Sequence, residues 1–236
     1  LAGLRRRGFT PASIRLFAER VGVSKAHQWI DMADLERALR DDLDATAARA
    51  MAVLDPIRVV IENYPEGQFE PCSATVHPHD ETRGRRDFKF AREVFIERED
   101  FMEVPSKGFF RLVPGGEVRL RHAFIIKCER IEKDAQGNVT TIYATYDPAT
   151  KSGTGGRNVK GAIHWVSKLD GIQAEVRMYD RLFNVENPDS GEGDYKTYLN
   201  PNSLKTVTAW LEPSLATAMA GESYQFERNG YFTPDR

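Results

Sequence analysis

A mainly β chain with an N-terminal α segment, its β part of barrel or sandwich type, is predicted by three observations. Up to about residue 50, apolar residues recur at helical spacing between capping residues. From about Ile57 the apolar period becomes two and stays there. The β half is cut into many short runs by turn residues at regular intervals, as closed or stacked antiparallel sheets require.

In the α segment, Thr10 before Pro11 reads as an N-cap with proline at the first helical position, and Gly22 as the stop. The helix between them would turn Ile14, Phe17, Ala18 and Val21 toward a core. A second helix starts near Asp31 and carries Met32, Leu35, Leu39 and Leu43 on one side. Arg49 follows, just before the strand-like Met51-Ala52-Val53-Leu54. Strands are predicted over 57–63, 88–98, 117–131, 139–146, 159–166, 172–183, 204–211 and 224–228. Asp134 to Asn138 forms a hairpin turn in which Gly137 supplies a positive φ. A single helical turn is predicted over 213–220, and loops over 66–75, 148–157 and 187–193.

The 236 residues suffice for one large or two small domains with sizeable cores. Hydrophobic residues make up 41% and charged residues 29%, with a formal net charge of −2, which excludes an overall basic nucleic-acid binder and leaves room for a local patch. No apolar run approaches the roughly 18–20 residues of a membrane span. The basic first residues lead into an amphipathic pattern and not into a signal peptide's apolar stretch. Two cysteines, Cys72 and Cys128, make no disulfide framework. A cytoplasmic protein without membrane contact is the expectation. Charge is uneven: 31–44 holds six acids and two bases, whereas 83–133 holds thirteen bases and nine acids.

Within that basic stretch, an apolar run meets Pro114-Gly115-Gly116 and a strand begins. Alternation along it puts Val118, Leu120 and Phe124 on one face and Arg119, Arg121 and Lys127 on the other. Residues two apart on a face lie roughly 6–7 Å from each other, near the spacing of successive nucleotides in a single strand. With Arg111 just ahead, these arginines suit phosphates or unstacked bases, and Phe109, Phe110, Phe124 and Tyr143 are candidate stacking partners. The alternative is a solvated face whose arginines pair with acids such as Glu117 and Glu129.

Other constellations carry less. Cys72, His77, His79 and Asp80 lack the paired spacing of a structural zinc site, so no metal is expected. Gly153-Thr154-Gly155-Gly156 with Lys160 fits no phosphate-binding fingerprint. His164 sits in an apolar strand as a satisfied core histidine, and Glu97 and Glu99 read as solvated. No nucleophile with a partnered base stands out, so no catalytic residue is assigned.

The ordered blocks Leu4-Arg5-Arg6-Arg7-Gly8-Phe9-Thr10, Arg49-Ala50-Met51-Ala52-Val53, Val118-Arg119-Leu120-Arg121, Val159 to Ser167, Tyr179-Asp180-Arg181-Leu182-Phe183 and Gln225 to Phe232 resemble the glutaminyl-tRNA synthetase family, in its C-terminal part. The resemblance covers nearly the whole chain. It implies a helical subdomain (1–50) followed by two anticodon-binding β-barrels of ribosomal-protein-like type over 51–236. The proximal barrel would use 51–76 and about 168–236, and the distal barrel about 77–167. It implies a monomer whose partner is the anticodon loop of glutamine tRNA isoacceptors. ATP and Mg2+ would serve the parent enzyme's nucleotide-binding domain, whose HIGH-like and KMSKS-like signatures are absent here; Val23-Ser24-Lys25 is a chance echo of the second. This chain would therefore hold no cofactor and be inactive by itself.

Residue by residue, the resemblance places Arg49, Gln225 and Pro78 at the middle anticodon base, Arg111 at the third and Arg119 at the first, with Arg121 beside the same RNA strand. His79 and Arg228 are implied tRNA contacts. The better-known members carry Asn where this chain has Asp44 and His79, and Gln and Lys where it has Gly108 and Phe110. A related glutamyl-tRNA synthetase, a free-standing RNA-binding β-barrel, and an interaction domain with merely solvated arginines are the alternatives.

Overall fold

The computed structural model describes residues 2–26, 28–154, 156–190 and 193–235. Helices α1 (Ala2–Arg6), α2 (Pro11–Val21) and α3 (Met32–Thr46) come first. Thr10 caps α2 by accepting from Ser13 N–H, Gly22 ends it at φ 73°, and Asp31 caps α3 through Ala33 N–H. The expected core face of α2 is shallow. Only Ser13 is fully buried, Ile14, Phe17 and Val21 are half-buried, and Ala18 is exposed.

The rest is mostly β: β1 (Ala48–Ala50), β2 (Ala52–Val53), β3 (Pro56–Ile61), β4 (Phe69–Thr75), β5 (Arg85–Ala91), β6 (Glu93–Glu97), β7 (Glu117–Leu120), β8 (Ile125–Lys133), β9 (Val139–Asp147), β10 (Ala162–Ile163), β11 (Val166–Ser167), β12 (Ile172–Tyr179), β13 (Leu204–Leu211), β14 (Tyr224–Phe226) and β15 (Gly230–Phe232). A seven-stranded sheet runs β10-β7-β8-β9-β3-β6-β11, with β4-β5 as a separate ribbon. Two three-stranded sheets, β12-β13-β2 and β1-β14-β15, follow. The strand β3, inside the 51–76 stretch expected in the proximal barrel, is hydrogen-bonded between β9 and β6.

Two apolar clusters result. The larger gathers Phe90, Ile96, Leu120, Ile126, Ile142 and Trp165 with their neighbours. The smaller gathers Ala50, Ala52, Val176, Ala209, Leu211, Leu215 and Phe226. Each is built by the inward alternation of its strands. No helix among the described residues is long and apolar enough to cross a membrane.

Several boundaries differ from the sequence expectation. The predicted loop 66–75 contains β4, paired with β5 from Phe69↔Ala91 to Thr75↔Arg85 and burying Cys72 and Ala74. Strand 88–98 breaks at Arg92, whose guanidinium donates to the Glu62 and Tyr64 carbonyls while the chain passes from the ribbon to the large sheet. Strand 117–131 is a hairpin, β7 and β8, that reverses at His122 with φ 62°. Pairing across the hairpin nevertheless keeps Phe124, opposite Leu120, on the buried face of Val118 and Leu120, and puts Lys127, opposite Glu117, on the face of Arg119. Strand 159–166 is two short pieces flanking His164 and Trp165, and 172–183 ends at Tyr179. Strand 224–228 stops at Phe226 because Arg228 turns the chain at φ 71°, which creates the unpredicted β15. The helical turn is a 3-10 turn, Pro213–Thr217. Gly155 of the glycine stretch and residues 191–192 of loop 187–193 lie outside the described residues.

Candidate nucleic-acid interface

Strand β14 lies between β1, parallel, and β15, antiparallel, with Arg49 opposite Gln225 and Gln225 opposite Tyr231. Directly opposed residues project to one face, so a guanidinium, a carboxamide and a phenol form a row across three strands. Asp44, at the end of α3, holds the row in place: its carboxylate accepts from Arg49 Nη2 at 2.9 Å and from the Tyr231 hydroxyl at 3.2 Å. Arg49 Nη1 is buried and, among the described residues, has no hydrogen-bond partner. Gln225, Tyr231, Asp44, Arg40 and Arg228 line an adjoining cleft of about 590 Å³. Beside it, Arg49 N–H donates to the Val76 carbonyl, and His77 Nε2 meets the Asp44 carbonyl at 3.3 Å. Pro78 and His79 are exposed next to this buried histidine, whose Nδ1 accepts from His79 N–H at 3.3 Å.

A second group centres on Asp100, fully buried after β6. Arg228 grips its carboxylate through two nitrogens at 2.6 and 2.7 Å, and Arg111 Nη1 reaches the same carboxylate at 3.1 Å. Such forked pairs are the strong ones. Arg228 also approaches His164 Nδ1 at 3.3 Å, and His164 Nε2 faces Glu97 at 3.3 Å. The expectation that Glu97 is solvated does not hold: it is 4% exposed, because it accepts from Leu54 N–H, Asp55 N–H and Asn229 Nδ2. Burial alone would raise its carboxyl. The bonds from His164, these amides and Asn229 outweigh that and hold it at about 2. Glu99 stays exposed and pairs with Arg111 at 3.1 Å.

A third group encloses Arg86 on β5, buried between Glu212 and Glu227 and bonded to both. Glu212 also accepts from Met51 N–H at 2.8 Å. Glu227 faces Arg121 Nε at 3.0 Å and His122 Nε2 at 3.7 Å. Burial again pushes the Glu227 carboxyl up, and His122, Arg86 and Arg121 together bring it down to about 2. The tripeptide Glu227-Arg228-Asn229 thus ties the β14-β15 hairpin to three separate points of the larger unit.

Arg119 differs from these. Its guanidinium donates to the Thr150 carbonyl at 2.7 Å, the Ser152 hydroxyl at 3.4 Å and the Arg157 carbonyl at 3.0 Å, all neutral acceptors. Glu117 and Glu129, considered as its partners, are taken by Arg157 and Lys127. Phe110 lies nearby, its carbonyl pressed against Gly161, whose own carbonyl accepts from Arg119 N–H at 3.0 Å.

The structure therefore assembles Arg49 and Gln225 in one row with Pro78 and His79 beside it, and links Arg228 to Arg111 through Asp100. Arg119 and Arg121 are not on one strand face: Arg121 lies in the β7-β8 turn, committed to Glu227. Of the candidate stacking rings, Phe124 belongs to the core, and Tyr143 sits under Arg130 and donates to Glu132. Of the residues weighed as a metal set, Cys72 is in the core, while His77 turns to Asp44 with the His79 ring 6.0 Å away. Tyr231 and Asp100 were not singled out from sequence; only register and long-range pairing reveal them.

Residues 47–147 and 162–235 each match a family model described as tRNA synthetases class I (E and Q), anti-codon binding domain. The whole chain is similar to glutamine–tRNA ligases, 57% identical in Cupriavidus metallidurans, 58% in Ralstonia pickettii and 54% in Nitrosomonas europaea. It spans 41 to 43% of the length of these curated relatives.

Proposed function

The chain belongs to the anticodon-binding domains of the class I (E and Q) tRNA synthetases, and on that premise we propose that it reads the anticodon loop of glutamine tRNA as the C-terminal part of a glutamine–tRNA ligase. The observation that carries the reading is the Arg49-Gln225-Tyr231 row, with a buried, unpartnered Arg49 nitrogen beside an open cleft. A buried donor without an acceptor is costly to leave unmade, and a carboxamide beside it can both donate and accept, as a uracil edge demands. Arg111 and Arg119 would meet the third and first bases, with Arg121 and Arg228 positioning the elements that carry them.

The same reading divides the chain into the helical subdomain and two barrels, with the two apolar clusters as their separate cores and β3 contributed to the distal one. Ligation of glutamine, with its ATP and Mg2+, is assigned to the parent enzyme outside this chain, which works as a monomer in the cytoplasm. The high identity to glutamine–tRNA ligases favours glutamine over glutamate, and aminoacylation by the parent enzyme with each amino acid separates the two.

The test is RNA binding by this chain across a salt series, with an anticodon stem-loop carrying CUG or UUG and a scrambled-loop control. Binding that prefers the cognate loop and weakens steeply with salt is expected. Equal binding to both loops would reduce the arginines to generic phosphate contacts and overturn the reading.

A further inference from the structure

Phe110 is a large ring left 57% exposed, on a backbone that is held in place. A Cβ on Gly161 would lie 1.9 Å from the Phe110 carbonyl oxygen, so the segment packs directly against bare glycine backbone. The Lys160 ammonium stands 5.2 Å from the ring centroid. Across Gly161 lies Arg119, hydrogen-bonded only to neutral oxygens. Among the described residues neither Lys160 nor Arg119 has a carboxylate within ion-pairing distance. Three arginines close to them in the chain or the fold are paired with carboxylates: Arg111 with Glu99 and Asp100, Arg121 with Glu227, Arg157 with Glu117 and Asp147. An unneutralised cation therefore stands beside the exposed ring.

We propose that Phe110 and Lys160 form a nucleotide subsite, in which an unpaired loop base stacks on the Phe110 ring and its phosphate lies against Lys160. The assignment rests on the anticodon-loop reading above and adds to it two residues without a role in it. A ring plus an unneutralised cation is the chemistry that binds single-stranded nucleic acid, since every base has a π face and every nucleotide a phosphate. Lys160 leaves the ring for the phosphate as the base arrives, so the ring exchanges a cation for a base of larger contact area. Position 110, where the resemblance expects a hydrogen-bonding lysine, thus supplies stacking that is indifferent to base identity. Discrimination at the neighbouring nucleotide falls to Arg111.

The experiment uses this chain and the cognate stem-loop, with 5-iodouridine placed at each loop position in turn and irradiated. One position is expected to crosslink to Phe110. Phe110→Ala should weaken binding about tenfold and equally for every base at that position, while Phe110→Trp keeps the affinity. Lys160→Ala should weaken it about threefold and lower the salt slope by about one. Because the ring is exposed, the thermal midpoint of Phe110→Ala should stay that of the wild type, which separates recognition from folding. If the wild type prefers the cognate loop but Phe110→Ala binds as tightly and nothing crosslinks at 110, the subsite is wrong and the anticodon reading stands. If the wild type shows no loop preference, both fall.

Discussion

Two regions of this molecule hold arginines in opposite ways. At the junction made by Glu227-Arg228-Asn229, guanidinium groups are paired with buried carboxylates: Arg86, itself buried, between Glu212 and Glu227, and Arg228 on Asp100. Around Phe110, Arg119 touches only carbonyl and hydroxyl oxygens. The junction neutralises its charge internally and so fixes how β14 and β15 sit on the large sheet. The open face keeps its charge for something outside. An arginine's role follows from its partner more than from its place in a strand pattern.

The largest expected effect tests the junction. Arg86→Met strands two buried glutamates and should destabilise the chain by about 3–5 kcal/mol, seen as a lower urea midpoint. A loss under about 1 kcal/mol would mean that water already reaches the pair. Next comes acid. Glu97 and Glu227 hold folded values of about 2, against an ordinary glutamate value of 4.5, so the folded state binds fewer protons. Their contribution is present above pH 4.5 and is lost as pH falls toward 2, on the order of 3 kcal/mol each, measurable in denaturant titrations at successive pH values. Arg119→Ala should reverse the pattern: RNA affinity falls by about 1–3 kcal/mol while the urea midpoint hardly moves. A large stability loss there, with affinity intact, would erase the distinction between the two regions. Smallest is Arg37→Ala, which removes an exposed pair with Asp34 and should change stability by about 0.5 kcal/mol or less.

What the sequence made legible was local. Thr10, Pro11 and Gly22 bound α2, and Asp134 to Asn138 turn the β8-β9 hairpin, because capping and turn chemistry act within a few residues. The β7-β8 reversal stayed hidden because a histidine occupies the positive-φ position at 122 and an apolar run follows it immediately. Burial of Glu97 and Asp100 could not be read from their charged surroundings, since their partners His164, Asn229 and Arg228 are far along the chain. The ordered motif blocks pointed to the family, and the register of β1 on β14 then showed which of the implied residues share a face.

That register has a further consequence, for the timing of folding. Arg49 and Gln225 become neighbours only when β1 pairs with β14, across nearly the whole chain. Contacts of such sequence separation form late and slowly, because the loop must close before the pairing can stabilise it. A chain emerging from the ribosome can fold α2 and α3 early, yet the row of Arg49, Gln225 and Tyr231 cannot form until β14 and β15 are out. On the proposed reading, newly made protein would have no RNA site at this cleft before its synthesis has passed that point.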